Sequence, residues 1–239
     1  MKILAIDTSA LVATAALCED ETPLAVYSQK SGMTHSQTML PIIKNIMDNT
    51  GTSIDDLDIL AVSQGPGSFT GIRIGVSAIK GLAFGKNKIC IGVSTLEAMA
   101  RSFASFCTDA IICPVMDARR NQLYNALFEY RGGKLLRLTE DRTVMADALA
   151  KELEAMDRPV YFIGDGYAIM EKRKLSCQRE TPPVCCWQNG YGVALAALEL
   201  YRSTEDKSVF TDRLLRPEYL RLPQAERELR EKEAAAKAN

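Results

Sequence analysis

The chain has 239 residues, 47% of them hydrophobic, and its 29 basic residues nearly balance 30 acidic ones. That supports a sizeable core in one large or two small domains, and it excludes a global field drawing the protein to nucleic acid or an anionic membrane. Seven cysteines without a C-x-x-C fit neither a zinc site nor a small disulfide framework. With no signal peptide before "MKILAID" and no membrane-length apolar run, the expectation is a reduced, soluble, cytoplasmic protein.

"KILAID" (2–7) is an aliphatic, β-branched run, hence a buried strand, and "TAALCED" (14–20) and "TPLAVYSQ" (22–29) follow after short polar breaks. The first helical pattern is "SQTMLPIIKNIMDNTG", with Met39, Ile43, Ile46 and Met47 on one face, Leu40 widening the apolar arc, and Gly51 as a stop. Pro41 fits best in the first turn, where no backbone donor is lost; elsewhere it kinks the helix. "DILAVSQG" (58–65) is a fourth strand, "SFTGIRIGVSAIKGLAFG" (68–85) a helix capped by Ser68, and "KICIGVS" (88–94) a fifth strand. Ser94 and Glu97 then stand at capping-box spacing before another helix.

The pattern begins again in "CPVMDARRNQLYNALFEYRGGKLLRLTED": a strand, an alternating strand, a Gly-Gly turn and a third strand. "MADALAKELEAM" is a helix, "PVYFIGDG" a strand and "YAIMEKRKL" a helical start. "ILAIDTS" and "CPVMDAR" occupy the same place in each copy, as do "AVSQGPGS" and "FIGDGYA". The chain is therefore an α/β protein with two β-β-β-α-β-α units, over 1–109 and 110–210, and a charged tail over 211–239 ending in the helix former "AERELREKEAAAKAN". Cys185-Cys186 reads as small buried side chains on a strand. Arg119-Arg120 and Lys172-Arg173-Lys174 read as solvated surface.

The most unusual stretch is "SQGPGSFTGIRIGV" (63–76). It is not a Walker loop, because Ile72-Arg73 follows Gly71 where lysine and serine or threonine are needed, and Gly65, Gly67 and Gly71 miss the dinucleotide spacing. On a helical projection Ile72, Val76, Ile79 and Ala83 form one stripe suited to the sheet. Gly71, Gly75, Ala78, Leu82 and Gly85 form a second, almost bare stripe, with Arg73 on the polar side. The bare stripe is expected to serve two neighbours at once: a helix within the chain, the one carrying Met39 and Ile43, and another protein, with the later glycines at that interface.

A duplicated unit of this kind is the plan of the actin, sugar kinase and Hsp70 ATPase superfamily. Within it, "ILAIDTS", "HSQTMLP", "GPGSFTGIRIG", "KGLAFG", "DARRNQLY" and "PEYLR" resemble the bacterial TsaB (YeaZ) family from residue 3 to about residue 221. The resemblance implies a non-catalytic scaffold subunit of the machinery that makes threonylcarbamoyladenosine beside the anticodon of tRNAs. It implies a TsaD-like catalytic paralogue and a TsaE-like ATPase as partners, with tRNA met only through the complex. ATP and metal are expected in those partners and not bound by this chain alone. In the family the two helices meet their counterparts in TsaD, or in a second TsaB, which would make a homodimer of the isolated protein. The interface expected here is Met39, Leu40, Ile43, Met47, Gly71, Arg73, Gly75, Ala78 and Leu82.

The residues agree with a non-catalytic reading. ATP-binding members of the superfamily place an acid and glycines in both loops that follow the first strand of each unit. Here Asp7-Thr8-Ser9 keeps the acid and two hydroxyls but no glycine, and Asp117-Ala118-Arg119 has alanine and arginine, so both loops are vestigial. Asp7 is expected to cap its own turn. The single histidine, His35, cannot build the two-histidine metal site of TsaD-like proteins, and a Ser-His-Asp site has no nearby support. The alternative function is an ATP-binding phosphotransferase-like enzyme of the same superfamily.

Overall fold

In the computed structural model, which describes residues 1–107 and 109–221, β1 (Lys2–Asp7), β2 (Ala13–Glu19) and β3 (Thr22–Gln29) form an antiparallel meander. β4 (Ile59–Gly65) and β5 (Ile89–Ser94) add in parallel on the other side of β1, giving the order β3-β2-β1-β4-β5. The second half repeats the order. β6 (Ala110–Asp117) takes the place of β1, β7 (Gln122–Asn125) that of β2, and β10 (Arg142–Met145) that of β3. β11 (Val160–Ile163) and β12 (Gln178–Arg179) complete the path β10-β7-β6-β11-β12 with the same strand senses. The duplication expected from the sequence is present.

The Gly-Gly hairpin expected from the sequence is present, but the strand before it is divided in a way the sequence did not announce. The alternating run after Asp117 breaks at Ala126-Leu127 into β7 and β8 (Phe128–Arg131), and β8 pairs with β9 (Lys134–Arg137) through the Gly132-Gly133 turn, where φ is +57° and +76°. β8 lies on the first residues of β6 and β7 on its last ones. Buried Asn125 holds the switch point by donating from Nδ2 to the carbonyls of Pro114 and Ala126.

α1 (His35–Thr50) is capped by Thr34 and stopped by Gly51 at φ +61°. Pro41 does not sit in the first turn; it falls in the second, so the carbonyl of Gln37 lacks its helical donor. α2 (Phe69–Ala83) starts at Ser68, whose Oγ accepts from the Gly71 N–H at 3.2 Å, and α3 (Thr95–Ala104) starts at Ser94, whose Oγ accepts from the Glu97 N–H at 3.1 Å. α4 (Ala146–Met156) and the short α5 (Tyr167–Glu171) follow. α6 (Gly190–Ser203), absent from the sequence reading, closes the fold.

α1 and α2 cover one face of the first sheet around Leu4, Leu17, Ile43, Ile72 and Ile79. α6 covers its other face through Val193, Ala194 and Ala197, while Leu96, Met99 and Phe103 of α3 pack against Ile112, Met116 and Phe128 of the second sheet. α3 thus comes from the first half and serves the second sheet, and α6 does the reverse.

Two smaller expectations need correcting. Cys185 ends a 3-10 turn (Pro183–Cys185), and Cys185 and Cys186 are half-buried, because two prolines preclude a ladder strand there. Arg173 is not solvated: its guanidinium binds Asp147 at 2.7 Å and Asn121 at 2.9 Å. The charged helix expected over 225–239 lies outside the described residues. No described helix is long and apolar enough to cross a membrane.

Candidate functional site: the cleft between the sheets and the exposed helix pair

The loops that follow β1 and β6 face each other across a cleft of about 400 Å³, lined by Ser9, Ser68, Phe69, Asp117, Arg119 and Asp165 among others. Asp7 ends β1 but is fully buried. One carboxylate oxygen accepts from the Ser9 N–H at 2.7 Å and the Ser9 hydroxyl at 2.6 Å, and the other from the Ser63 hydroxyl at 2.6 Å. Burial pushes its pKa up, against the pull of these donors. Asp7 therefore caps its own turn, as the sequence reading expected. Thr8 turns away, its hydroxyl donating to the Gly71 carbonyl at 2.7 Å, and the Ser9 carbonyl accepts from the Ser68 N–H at 2.6 Å. The polar groups of this loop are committed to its own turn, β4 and the α2 entrance.

Asp117, at the equivalent end of β6, repeats the turn: one of its oxygens accepts from the Arg119 N–H at 2.7 Å. Arg119, Arg120 and Asn121 all have positive φ, at 68°, 53° and 61°, a tight left-handed corner. The Arg119 guanidinium stays 84% exposed at the cleft, with a loose 3.4 Å contact to Asp117. Facing it, Asp165 accepts from the Asp117 N–H at 3.2 Å. Burial first, and then the Asp117 charge, raise the pKa of Asp165 to about 6. The sequence carried a signal for Asp165, since "FIGDG" stands where "AVSQG" stands in the first half, but the acid itself was not singled out.

The bare stripe on α2 has an internal cause. A Cβ at Gly71 would sit 2.0 Å from the Thr8 carbonyl oxygen, and one at Gly75 would sit 2.6 Å from the Thr8 hydroxyl and 3.0 Å from Val62 Cγ2. Within the chain, the neighbour these glycines admit is the β1–β2 loop, with Val62 of β4, and not α1. Gly81 and Gly85 face open space. Of the other expected interface residues, Met39 and Ile43 are also inside, on the face α1 turns to the first sheet. Met47, Ala78 and Leu82 are partly buried at the edge of that core. Leu40 is 54% exposed, and beyond the end of α2 so is Phe84 at 81%. Arg73 is spoken for: it lies 3.9 Å from the centre of the Phe69 ring and donates to the Tyr219 hydroxyl at 2.8 Å.

His35, the first residue of α1, places Nε2 2.6 Å from the Ala10 carbonyl oxygen. A carbonyl only accepts, so Nε2 carries the proton and ties the β1–β2 loop to the helix. Among the described residues no three His, Cys, Asp or Glu side chains gather as a metal-binding group.

A family model described as "TsaD: tRNA N6-adenosine threonylcarbamoyltransferase" matches residues 25–229. The "tRNA threonylcarbamoyladenosine biosynthesis protein TsaB" of Bacillus subtilis is 37% identical over 164 residues, 69% of this chain and 71% of the relative. The chain belongs to the TsaB family. The Escherichia coli K12 TsaB is 39% identical over 129 residues, 54% of this chain and 55% of that relative. Among solved structures, a Pseudomonas aeruginosa protein described as similar to "peptidase YEAZ" superposes with a TM-score of 0.76 at 22% identity, covering 92% of this chain and 99% of its own. YeaZ from the same organism gives 0.66 at 21% identity, over 84% and 93% of the two chains. At those identities the superpositions establish a shared fold. They do not carry an activity from one chain to another.

Proposed function

We propose that this chain takes part in making threonylcarbamoyladenosine in tRNA as a non-catalytic subunit that binds and supports a TsaD-like paralogue. Membership of the TsaB family supports the pathway. The observation that carries the non-catalytic reading is the filled first loop: the acid, both hydroxyls and the Ser9 N–H meet partners within the chain, so none is left aimed at a phosphate. Transfer chemistry, with its ATP and metal, then falls to the partners, a TsaD-like transferase and a TsaE-like ATPase, with tRNA held by the assembly.

The docking surface proposed is the outer side of α1 and α2: exposed Leu40, partly exposed Met47, Ala78 and Leu82, and Phe84 just past α2. Leu40 and Phe84 are large apolar side chains left in water, the apolar content such a contact would cover. Co-purification with a TsaD-like chain and a modification assay test the proposal. Leu40→Asp with Phe84→Asp, both at exposed positions, should abolish binding and modification while leaving the isolated chain folded; retained binding would remove this surface from consideration.

A further inference from the structure

We infer that residues 217–221 form an intramolecular clasp that holds the cleft between the two sheets closed and gates access to it. The segment is rooted in the first half. Leu215 is buried in the core under α1 and α2, and its carbonyl accepts from Lys80 Nζ at 3.1 Å. From there the backbone runs over the glycine loop: the Glu218 N–H donates to the Gln64 carbonyl at 2.7 Å. Gly65 leaves just enough room, since a Cβ there would lie 2.1 Å from the Glu218 carbonyl oxygen. Tyr219 stacks on Phe69 with ring centres 4.4 Å apart and accepts from Arg73 Nε. Arg221 then crosses the cleft, and its Nη1 donates to the Ala118 carbonyl at the corner after β6.

These anchors are unequal. The root is core; the tip is surface, with Tyr219 39% and Leu220 41% exposed. The described segment reaches the second half at its tip through a part-buried guanidinium on one carbonyl, a hydrogen bond that water can take over once the tip lifts. Glu218, Tyr219, Leu220 and Arg221 line the same cleft of about 400 Å³ that Ser9, Asp117 and Asp165 line. At the base of the molecule α3 and α6 pack each sheet firmly onto the other half's helix. A cleft with a firm base and a wall made of a peelable strap opens where the strap lets go. The inference rests on the cleft alone and stands or falls independently of the proposed role in tRNA modification.

The test uses the full chain with spin labels at exposed Ser77 on α2 and Lys151 on α4, attached through unnatural side chains so that native thiols do not react. The unaltered protein should give one narrow distance distribution. Tyr219→Ala combined with Arg221→Ala should broaden it and add a longer component, and should speed exchange of the Glu218 amide at least tenfold while the Ile6 and Val62 amides stay protected. Arg221→Ala alone removes only the crossing contact and should give the longer component if the double variant folds poorly. An unchanged distribution in a cooperatively melting Arg221→Ala protein, or unchanged Glu218 exchange in the double variant, overturns the clasp.

Discussion

Replacing Gly71, Gly75 and Gly81 of α2 by alanine one at a time separates helix propensity from close approach. Alanine favours a helix interior over glycine by up to about 1 kcal/mol. Gly81 faces open space, so Gly81→Ala should realise part of that gain and raise the melting temperature slightly. At Gly75 the new methyl meets a hydroxyl at 2.6 Å and a valine methyl at 3.0 Å, side-chain atoms that shift at modest cost. Overpacking of about 1–3 kcal/mol against the propensity gain leaves roughly 0–2 kcal/mol of destabilisation. At Gly71 the obstacle is the Thr8 carbonyl oxygen at 2.0 Å. Relief requires moving the β1–β2 loop, which strains the Thr8 hydroxyl bond to Gly71 and the Ser68 N–H bond to Ser9. Losing one such bond adds about 1 kcal/mol to the same balance of overpacking and propensity, for a total of roughly 1–3 kcal/mol, or several degrees in a chain of this size. Thermal unfolding of the isolated chain reads all three. Thr8→Ala should rescue Gly75→Ala, whose clash is with the side chain, and not Gly71→Ala, whose clash is with the backbone. A Gly71→Ala protein that melts like the unaltered chain, or a Thr8→Ala rescue of both, would refute the internal account of the stripe.

Asp165, with its pKa raised from 3.8 to about 6, should make stability fall as pH rises from about 4 to 6, because the folded protein keeps a proton that the unfolded chain releases. Asp165→Asn should flatten that slope and stabilise the protein at pH 7.5 by up to about 3 kcal/mol; an unchanged slope in denaturant titrations contradicts it. Arg137 binds Glu97 of α3 at 2.9 Å and Asp141 at 2.7 Å. Burial alone would raise the Glu97 pKa, but Arg137 and Arg101 bring it below the usual carboxylate range. This link is therefore present at neutral pH and lost on acidification, and Arg137→Ala should weaken stability at pH 7 more than at pH 3.5. His35→Ala should leave modification by the assembled complex within a fewfold; a loss of about a hundredfold with normal folding would assign it a catalytic proton transfer.

The first sheet and the repeat were legible because they rest on long aliphatic strands bounded by polar turns and on caps such as Ser68, Ser94 and Gly51. α6 was not, although "GVALAALELY" is helical in propensity. Its first turn follows a proline- and cysteine-rich stretch, and nothing local says that it crosses back to the first sheet. The cleft was half legible. Asp7 and Asp117 stood out as strand-end acids, whereas Asp165 acquires its properties from burial and from Asp117, which no spacing reveals. The bare stripe on α2 was visible in a helical projection, but a projection gives an angle and not the neighbour. Only the coordinates put Thr8 there.

The most direct measurement of the central claim is threonylcarbamoylation of tRNA in a reconstituted mixture of a TsaD-like chain, a TsaE-like ATPase, ATP and the carbamoyl adenylate substrate, with and without this protein. The account predicts no modification and no nucleotide turnover by this chain alone, little by the others alone, and activity restored when it is added but not when Leu40→Asp/Phe84→Asp is added. Full activity in its absence, or ATP turnover by this chain alone that disappears with Asp7→Asn, would contradict it.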